Sequence, residues 1–209
     1  MPYVIYHGRV ERSRREEYTE ATRRALLDSA AAAFVERGYA DASLDDIARS
    51  ARLTKGALYH HFSGKQDLFR AVFEEVEAEM IQEVLRAGEH EADQWRRLLA
   101  GIGAFLDVCT MPRYRRIALE EGPTALGWDR WREIDERYSL ALVRTPLARL
   151  MRAGVLQERP VDLMARVVLA ALTEAGMAVA VASDRQGARR DAEDLITSLL
   201  AGFRTVPAG

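Results

Sequence analysis

Hydrogen-bond donors crowd one short stretch of this sequence, Thr54-Lys55-Gly56-Ala57-Leu58-Tyr59-His60. On a helix, its residues could do one kind of chemistry together. The Thr54 hydroxyl and the helix N-terminus behind it can meet a phosphate. Lys55 can donate to a guanine edge or to the backbone. Tyr59 and His60 can donate to phosphates, while Gly56 and Ala57 are small enough to let the helix sink into a major groove. From Arg49 to Lys65 the chain carries Arg49, Arg52, Lys55 and Lys65 and no acid before Asp67. That local positive charge is what a phosphate backbone attracts.

Such donors need elements that hold them. Ser43 is a good helix N-cap, with Asp46 three residues on to close a capping box. Asp45 and Asp46 lie in the first turn, where the helix dipole favours negative charge. Leu44, Ile47, Ala48 and Ala51 form one apolar stripe on a helix of barely two turns. Arg52-Leu53 breaks it, and Thr54 caps a second short helix running to about His61, with Leu58 and Phe62 turned inward. Two short capped helices joined by a tight turn make a helix-turn-helix, here expected over residues 43–62.

The run Ile47-Ala48, Ala51, Thr54, Gly56, Leu58-Tyr59, His61-Phe62, Lys65 and Leu68 resembles the TetR family of transcriptional regulators. Upstream, Leu26-Leu27, Ala30, Phe34 and Gly38-Tyr39 are similar to that family's first helix and its exit. The likeness covers about Glu20 to Met80 and no motif carries it further. The chain departs from it at Arg52, where the family usually has Gly in the turn. A non-Gly residue in a left-handed conformation costs on the order of 1 kcal/mol. The resemblance implies DNA contacts at Ser43, Thr54, Lys55, Gly56, Ala57, Tyr59, His60 and Lys65. It also implies a homodimer on a double-stranded, pseudo-palindromic operator, and a small apolar or amphipathic effector that releases the DNA.

Composition bounds the alternatives. Among 209 residues, 48% are hydrophobic and 30% charged, which is enough apolar matter for a globular core. A net charge of −2 argues against indiscriminate coating of nucleic acid and leaves room for one focused basic face. Cys109 is the only cysteine, so no intrachain disulfide forms, as suits a reducing cytoplasm. No secretory signal opens the chain at Met1 to Val10, and the longest charge-free apolar run, Ala175 to Ser183, is far too short to span a membrane.

The expected architecture is all-α, with an N-terminal three-helix helix-turn-helix domain and a C-terminal helical effector and dimerisation domain. Residues 1–19 form an extension whose Arg9, Arg12, Arg14 and Arg15 belong either to a solvated leader or to an arm that reaches a groove. Residues 20–80 form the DNA-binding domain. Its first helix runs from Thr19 or Thr22 to Arg37 with Gly38 as C-cap, and a long linking helix reaches about Leu85. Residues 89–209 form the second domain, helical throughout. There a short helix from Arg113 to Glu121 ends at Gly122-Pro123, Pro146 kinks a long helix, and Asp191 to Phe203 closes the chain after a turn at Asp184–Gly187.

Within that second domain, the helix from Val161 to about Ser183 is apolar on nearly every face. It therefore needs covering on all sides. A two-helix face meeting its own copy would cover it, with Leu172, Ala175, Val179, Leu195 and Leu199 at the interface. Trp95, Phe105, Met111, Tyr114, Trp128, Trp131, Tyr138 and Met177 are either ordinary core or the lining of a pocket for an apolar ligand. Glu174 is either a pocket acceptor or a residue satisfied across the dimer axis.

Enzymatic signals are weak. Cys109 has no His or Asp at a recognisable spacing, and His60 and His61 diverge by about 100° on a helix and cannot share a metal. No cofactor or metal site is expected. The function read from the sequence is a sequence-specific, effector-released DNA-binding regulator, a repressor. The rival is a helical protein-interaction or enzymatic domain in which the helix-turn-helix is incidental.

Overall fold

Helices make up the described chain, and only Leu156 and Arg204 meet in an isolated antiparallel bridge. The computed structural model describes the backbone of residues 14–205 and the side chains of residues 18–205. Both readings of the N-terminal arginines fall outside those side chains. Helix α1 (Arg14–Asp41) begins ahead of the expected threonines, because Arg14 to Thr22 contains neither Gly nor Pro to stop it. Gly38 interrupts it with φ 80° and ψ 171°. A side chain at Gly38 would also strike the Glu121 carboxylate and the Arg116 guanidinium, so only glycine fits this crossing.

Helix α2 (Leu44–Ser50) and α3 (Lys55–His61) form the helix-turn-helix, each with the expected N-cap. The Asp45 N–H donates to Ser43 Oγ at 3.2 Å, and the Ala57 N–H donates to Thr54 Oγ1 at 3.1 Å. The capping box does not close. Asp46 instead takes Arg37 at 3.2 Å and Arg49 at 3.0 Å, because two guanidiniums outbid a backbone N–H for one carboxylate. Arg52 sits at φ 58° and is the positive-φ non-glycine among the described residues. Its N–H donates to Arg49 O at 3.0 Å, and the Leu53 N–H donates to Ala48 O at 2.9 Å. This pair of bonds is the Schellman ending, which favours glycine at the Arg52 position.

Helix α4 (Lys65–Ala87) is followed at Gly88 by a turn, then by α5 (Gln94–Thr110), α6 (Pro112–Tyr114) and a π-helical segment (Arg115–Glu121). Gly122-Pro123 does not end that segment. Pro123 is preorganised for a first helical turn, so α7 (Gly122–Leu126) starts there. Gly122 itself is pinned between Trp131 and Phe73, where a Cβ would lie 2.8 Å from the indole. The chain continues through α8 (Trp128–Arg152), which runs on through Pro146, and α9 (Val161–Val181). Finally α10 (Arg185–Ala201) starts earlier than expected, because Asp184 accepts from the Gly187 N–H at 2.9 Å and turns the supposed loop into a helix N-terminus.

Two apolar clusters fill the interior. The larger joins α1 to α4 with the segment from Val108 to Leu126, parts of α8, and Val179 and Ala180 of α9. At its centre the Phe34 and Phe69 rings meet edge-on at 5.0 Å, and Tyr39 packs on Phe69 at 5.1 Å. The smaller cluster joins α5, α8, α9 and α10. One core therefore runs across the boundary expected near residue 88.

Helix α9 has a stretch of mean hydropathy 1.7, long and apolar enough to cross a membrane by length and composition. The sequence reading missed this by counting only charge-free residues. Asp162, Arg166 and Glu174 interrupt the helix, and its inner face is packed on α5, α8 and α10.

If Arg52 strains the turn, Arg52→Gly relieves it by about 0.5–1 kcal/mol. Thermal unfolding should then shift upward by roughly 1–4 °C for a chain of this size. An unchanged or lowered midpoint would show the turn to be relaxed with arginine.

Candidate nucleic-acid interface and internal cavity

Leu58 and Phe62 are buried beneath α3, which fixes the face that α3 turns outward. That face carries Lys55, Gly56, Tyr59 and His60 in solvent, with Thr54 at its start and Ala57 half-buried beside them. Tyr59 is 49% exposed, a large aromatic with a free hydroxyl. Thr54 uses a lone pair to cap the helix and keeps its own proton for an outside acceptor. Lys55 is not free. Its Nζ lies 2.8 Å from Asp45 Oδ1, and that hydrogen bond raises its pKa. His61, half-buried and facing inward, has its pKa lowered by burial and then by His60.

Two of the expected contacts also have partners within the chain. Ser43 caps α2, and Lys65 turns back on α1. Lys65 Nζ donates to the Ala40 carbonyl at 2.7 Å and lies 4.8 Å from the Tyr39 ring centre. The unpaired carbonyls at the end of α1 attract a cation more closely than a distant phosphate would.

Gly56 is informative because nothing in the chain requires it. A Cβ there would lie 3.8 Å from Thr54 Oγ1, an ordinary contact. Glycine inside a helix costs about 1 kcal/mol relative to alanine. Gly56 is the second residue of α3, and no packing inside the chain calls for glycine there.

Behind the helix-turn-helix, a cavity of about 860 Å³ opens between α4, α5, α8 and α9. Met80, Val84, Ile102, Phe105, Leu142 and Leu172 supply much of its apolar wall. Of the aromatics and methionines expected from the sequence to line a pocket, Phe105 and Tyr138 line it. Trp128, Trp131, Glu174 and Met177 line a separate cleft of about 160 Å³ between α8 and α9. Trp95, Met111 and Tyr114 line neither. Trp95 stacks beneath Arg204 at 5.2 Å, Met111 caps α5 in solvent, and Tyr114 is buried in the core.

The polar side of the cavity was missed. Asp135, Ser139 and Thr173 face it, and Asp135 and Thr173 also line the small cleft. The Ser139 hydroxyl reaches Asp135 Oδ1 at 3.5 Å and the Thr173 hydroxyl reaches Oδ2 at 3.4 Å, both long. A signal was present: Asp135 and Ser139 stand four apart within the apolar stripe Trp131, Ile134, Tyr138, Leu142. Nearby, Glu77 of α4 is 1% exposed. It is hydrogen-bonded to Tyr114 through one oxygen, and Oε2 has no partner. Burial raises the pKa of Glu77 well above the carboxylate range, and that of Asp135 to about 6. Burial likewise raises Tyr114 and the Cys109 thiol, so Cys109 is an inert small hydrophobe.

The apolar surface on α9 is rotated from the expected register. Leu172 and Val179 are buried within the chain and Ala175 is half-buried, because they pack on the neighbouring helices. The outward stripe is Leu163, Val167, Ala170, Glu174, Ala178 and Val181, continued on α10 by Leu195 and Leu199. Leu163 is 63% exposed and Leu195 61%.

Residues 26–72 match the model for bacterial regulatory proteins of the tetR family, and residues 95–203 match that for the tetracyclin repressor-like C-terminal domain. The Transposon Tn10 TetC protein of Escherichia coli is 27% identical over 153 residues, covering 73% of this chain and 77% of that protein. The "Probable acrEF/envCD operon repressor" of Escherichia coli K12 is 40% identical over 86 residues, 39% of each chain. A TetR-family transcriptional regulator from Pectobacterium atrosepticum, solved as a crystal structure, is 32% identical with a TM-score of 0.81. It covers 94% of this chain and 100% of its own.

The buried carboxyl of Asp135 has a consequence for stability. Its contribution is full below about pH 4, where folded and unfolded chains both hold the proton. It declines between about pH 4 and about 6, where only the folded chain keeps it, and is lost above that. The whole effect is up to about 3 kcal/mol. Asp135→Asn should therefore flatten the stability profile between pH 4 and 6 and raise the unfolding midpoint at pH 8. Identical profiles for variant and wild type would show that Asp135 is solvated.

Proposed function

The chain belongs to the TetR family and is a DNA-binding transcriptional regulator; we propose that it is a homodimeric cytoplasmic repressor, released from its operator when a small apolar or amphipathic molecule enters the cavity. The observation that carries the DNA reading is the outer face of α3. It exposes Lys55, Tyr59 and His60 around a glycine that the fold does not need. Thr54, Ala57 and Ser43 border that face.

We assign residues up to about 88 to DNA binding and the rest to effector binding and dimerisation. The shared core makes α4 the mechanical link. Its first half packs on α1, and Met80 to Arg86 form one wall of the cavity. A ligand that prefers a different setting of α4 weakens DNA binding by its preference between the two states. The two α3 helices of a dimer must sit about 34–36 Å apart to enter successive major grooves, so a small tilt is enough.

The dimer reading rests on the outward stripe of α9 and α10. Only 39% of the apolar stretch of α9 is buried within the chain, which leaves the stripe to be covered by something. A second copy supplies the same small-and-apolar surface across a two-fold axis. Ala178 lies on the stripe, whereas Ala180 is buried in the chain and is no probe of it.

Two experiments test these assignments. DNA fragments selected by the purified protein supply an operator for gel-shift titration. On it, Gly56→Ala should stabilise the fold by about 1 kcal/mol yet weaken operator binding, because the added methyl sits between α3 and the groove. Lys55→Ala should weaken it by about 1–3 kcal/mol if Lys55 reads a base edge. Unchanged affinity in both variants would remove α3 from the interface. Separately, Ala178→Arg should turn a dimer into a monomer or an insoluble chain in sedimentation, since an unpaired buried charge costs several kcal/mol. A monomeric wild type would rule out the dimer.

A further inference from the structure

The buried polar side chains among the described residues are Glu77, Asp135 and Ser139, and all three lie at or next to the cavity. Two of them are acids, and no buried Lys or Arg accompanies them. Buried charges ordinarily pair with a cation or take up a proton. Here Asp135 has only two long hydroxyl contacts, and Glu77 behind it leaves one oxygen without a partner. Arg132, whose charge acts on Asp135, is exposed and turned to Glu136 at 3.7 Å. The opposite charge that would satisfy this corner is missing from the protein's own side chains.

We propose that the cavity takes an amphipathic ligand bearing a protonated amine, and that the Asp135 carboxylate receives the ammonium group while the apolar wall takes the hydrocarbon. The proposal rests on reading the cavity as the effector site and names the ligand class for it. Ser139 and Thr173 hold the carboxylate from two sides and leave its outer lone pairs to the ligand. Glu77 behind it, held in its protonated form by burial, adds a polar but uncharged neighbour and leaves Asp135 as the inner charge.

The other charged groups lining the cavity are Arg86, Arg97, Arg149 and Glu89, and all are exposed at its rim. Arg86 is paired with Glu83 at 2.6 Å, and Arg97 donates to the Glu91 carbonyl at 3.1 Å. A charge in water is strongly screened, whereas a buried one keeps its field. The inner acid therefore outweighs the rim arginines in selecting the ligand, and it repels a carboxylate or phosphate head group from the inner end.

The test uses the full-length protein and three probes that share one tail: decylamine, decanol and decanoate. Each is titrated at pH 7.5, below its micelle concentration, by isothermal calorimetry. Decylamine should bind about tenfold or more tighter than decanol, and decanoate should bind weakest, the ratio expected of a desolvated charge-assisted hydrogen bond. In Asp135→Asn the amine's advantage should shrink to about threefold or less, with decanol little changed. Equal binding of all three probes, or a preference for decanoate, would overturn the proposal and leave the cavity reading standing. So would an amine preference that survives in Asp135→Asn. If none of the three binds, the cavity reading fails and takes this proposal with it. Should Asp135→Asn not fold, the order of the probes on the wild type decides alone.

Discussion

Helix α4 is the constraint on which the rest depends, because different neighbours bury it at its two ends. Near its start Phe69 is locked between Phe34 and Tyr39 of α1. Further along, Met80 and Ile81 face the cavity opposite α5 and α8. Between these, Glu75 is held by Arg24 of α1 and by Arg113 of α6, the latter at 3.3 Å. Close-packed protein interiors tend to rearrange between discrete settings. In the proposed mechanism, a change at the cavity wall would reach α1 through α4, and through α1 the helix-turn-helix seated on it.

The segment from α6 to α7 closes this assembly from outside. Its π-helical turn leaves the Ala118 carbonyl free to accept from the Trp131 indole at 2.8 Å, which ties it to α8. Gln66 of α4 donates to the Ala125 carbonyl at 2.8 Å, and Gly38 of α1 lies against Glu121 and Arg116. Three helices are thus fastened to one irregular stretch. π-helical turns are often found at functional sites.

Local chemistry was legible in the sequence, and long-range chemistry was not. The caps at Ser43 and Thr54 and the left-handed turn at Arg52 each depend on residues within a few positions, and the structure has all three. The Lys65 bond to the Ala40 carbonyl was not legible, because its partner lies on another helix and no local pattern announces it. The outward stripe of α9 was misplaced because a helix apolar on all sides offers no contrast from which to choose a face. The cavity escaped for a related reason: aromatics and methionines mark apolar surroundings, but whether they enclose space or fill it depends on how four helices meet. Asp135 was the readable clue, a lone acid in an apolar stripe, and it was passed over in favour of bulk.

The ion pair between Lys55 and Asp45 bears on how such a protein searches a chromosome. A free lysine meeting DNA displaces a condensed counterion, and the entropy of that release drives binding to any sequence at all. Lys55 has Asp45 beside it at 2.8 Å, so at the proposed interface wrong DNA would have to compete with that carboxylate for the ammonium. Only where a base edge or a well-placed phosphate competes for the ammonium does the exchange become worthwhile. In the proposed interface the pair would trim the sequence-blind adhesion that Lys55 adds and so shorten each stay at a wrong site.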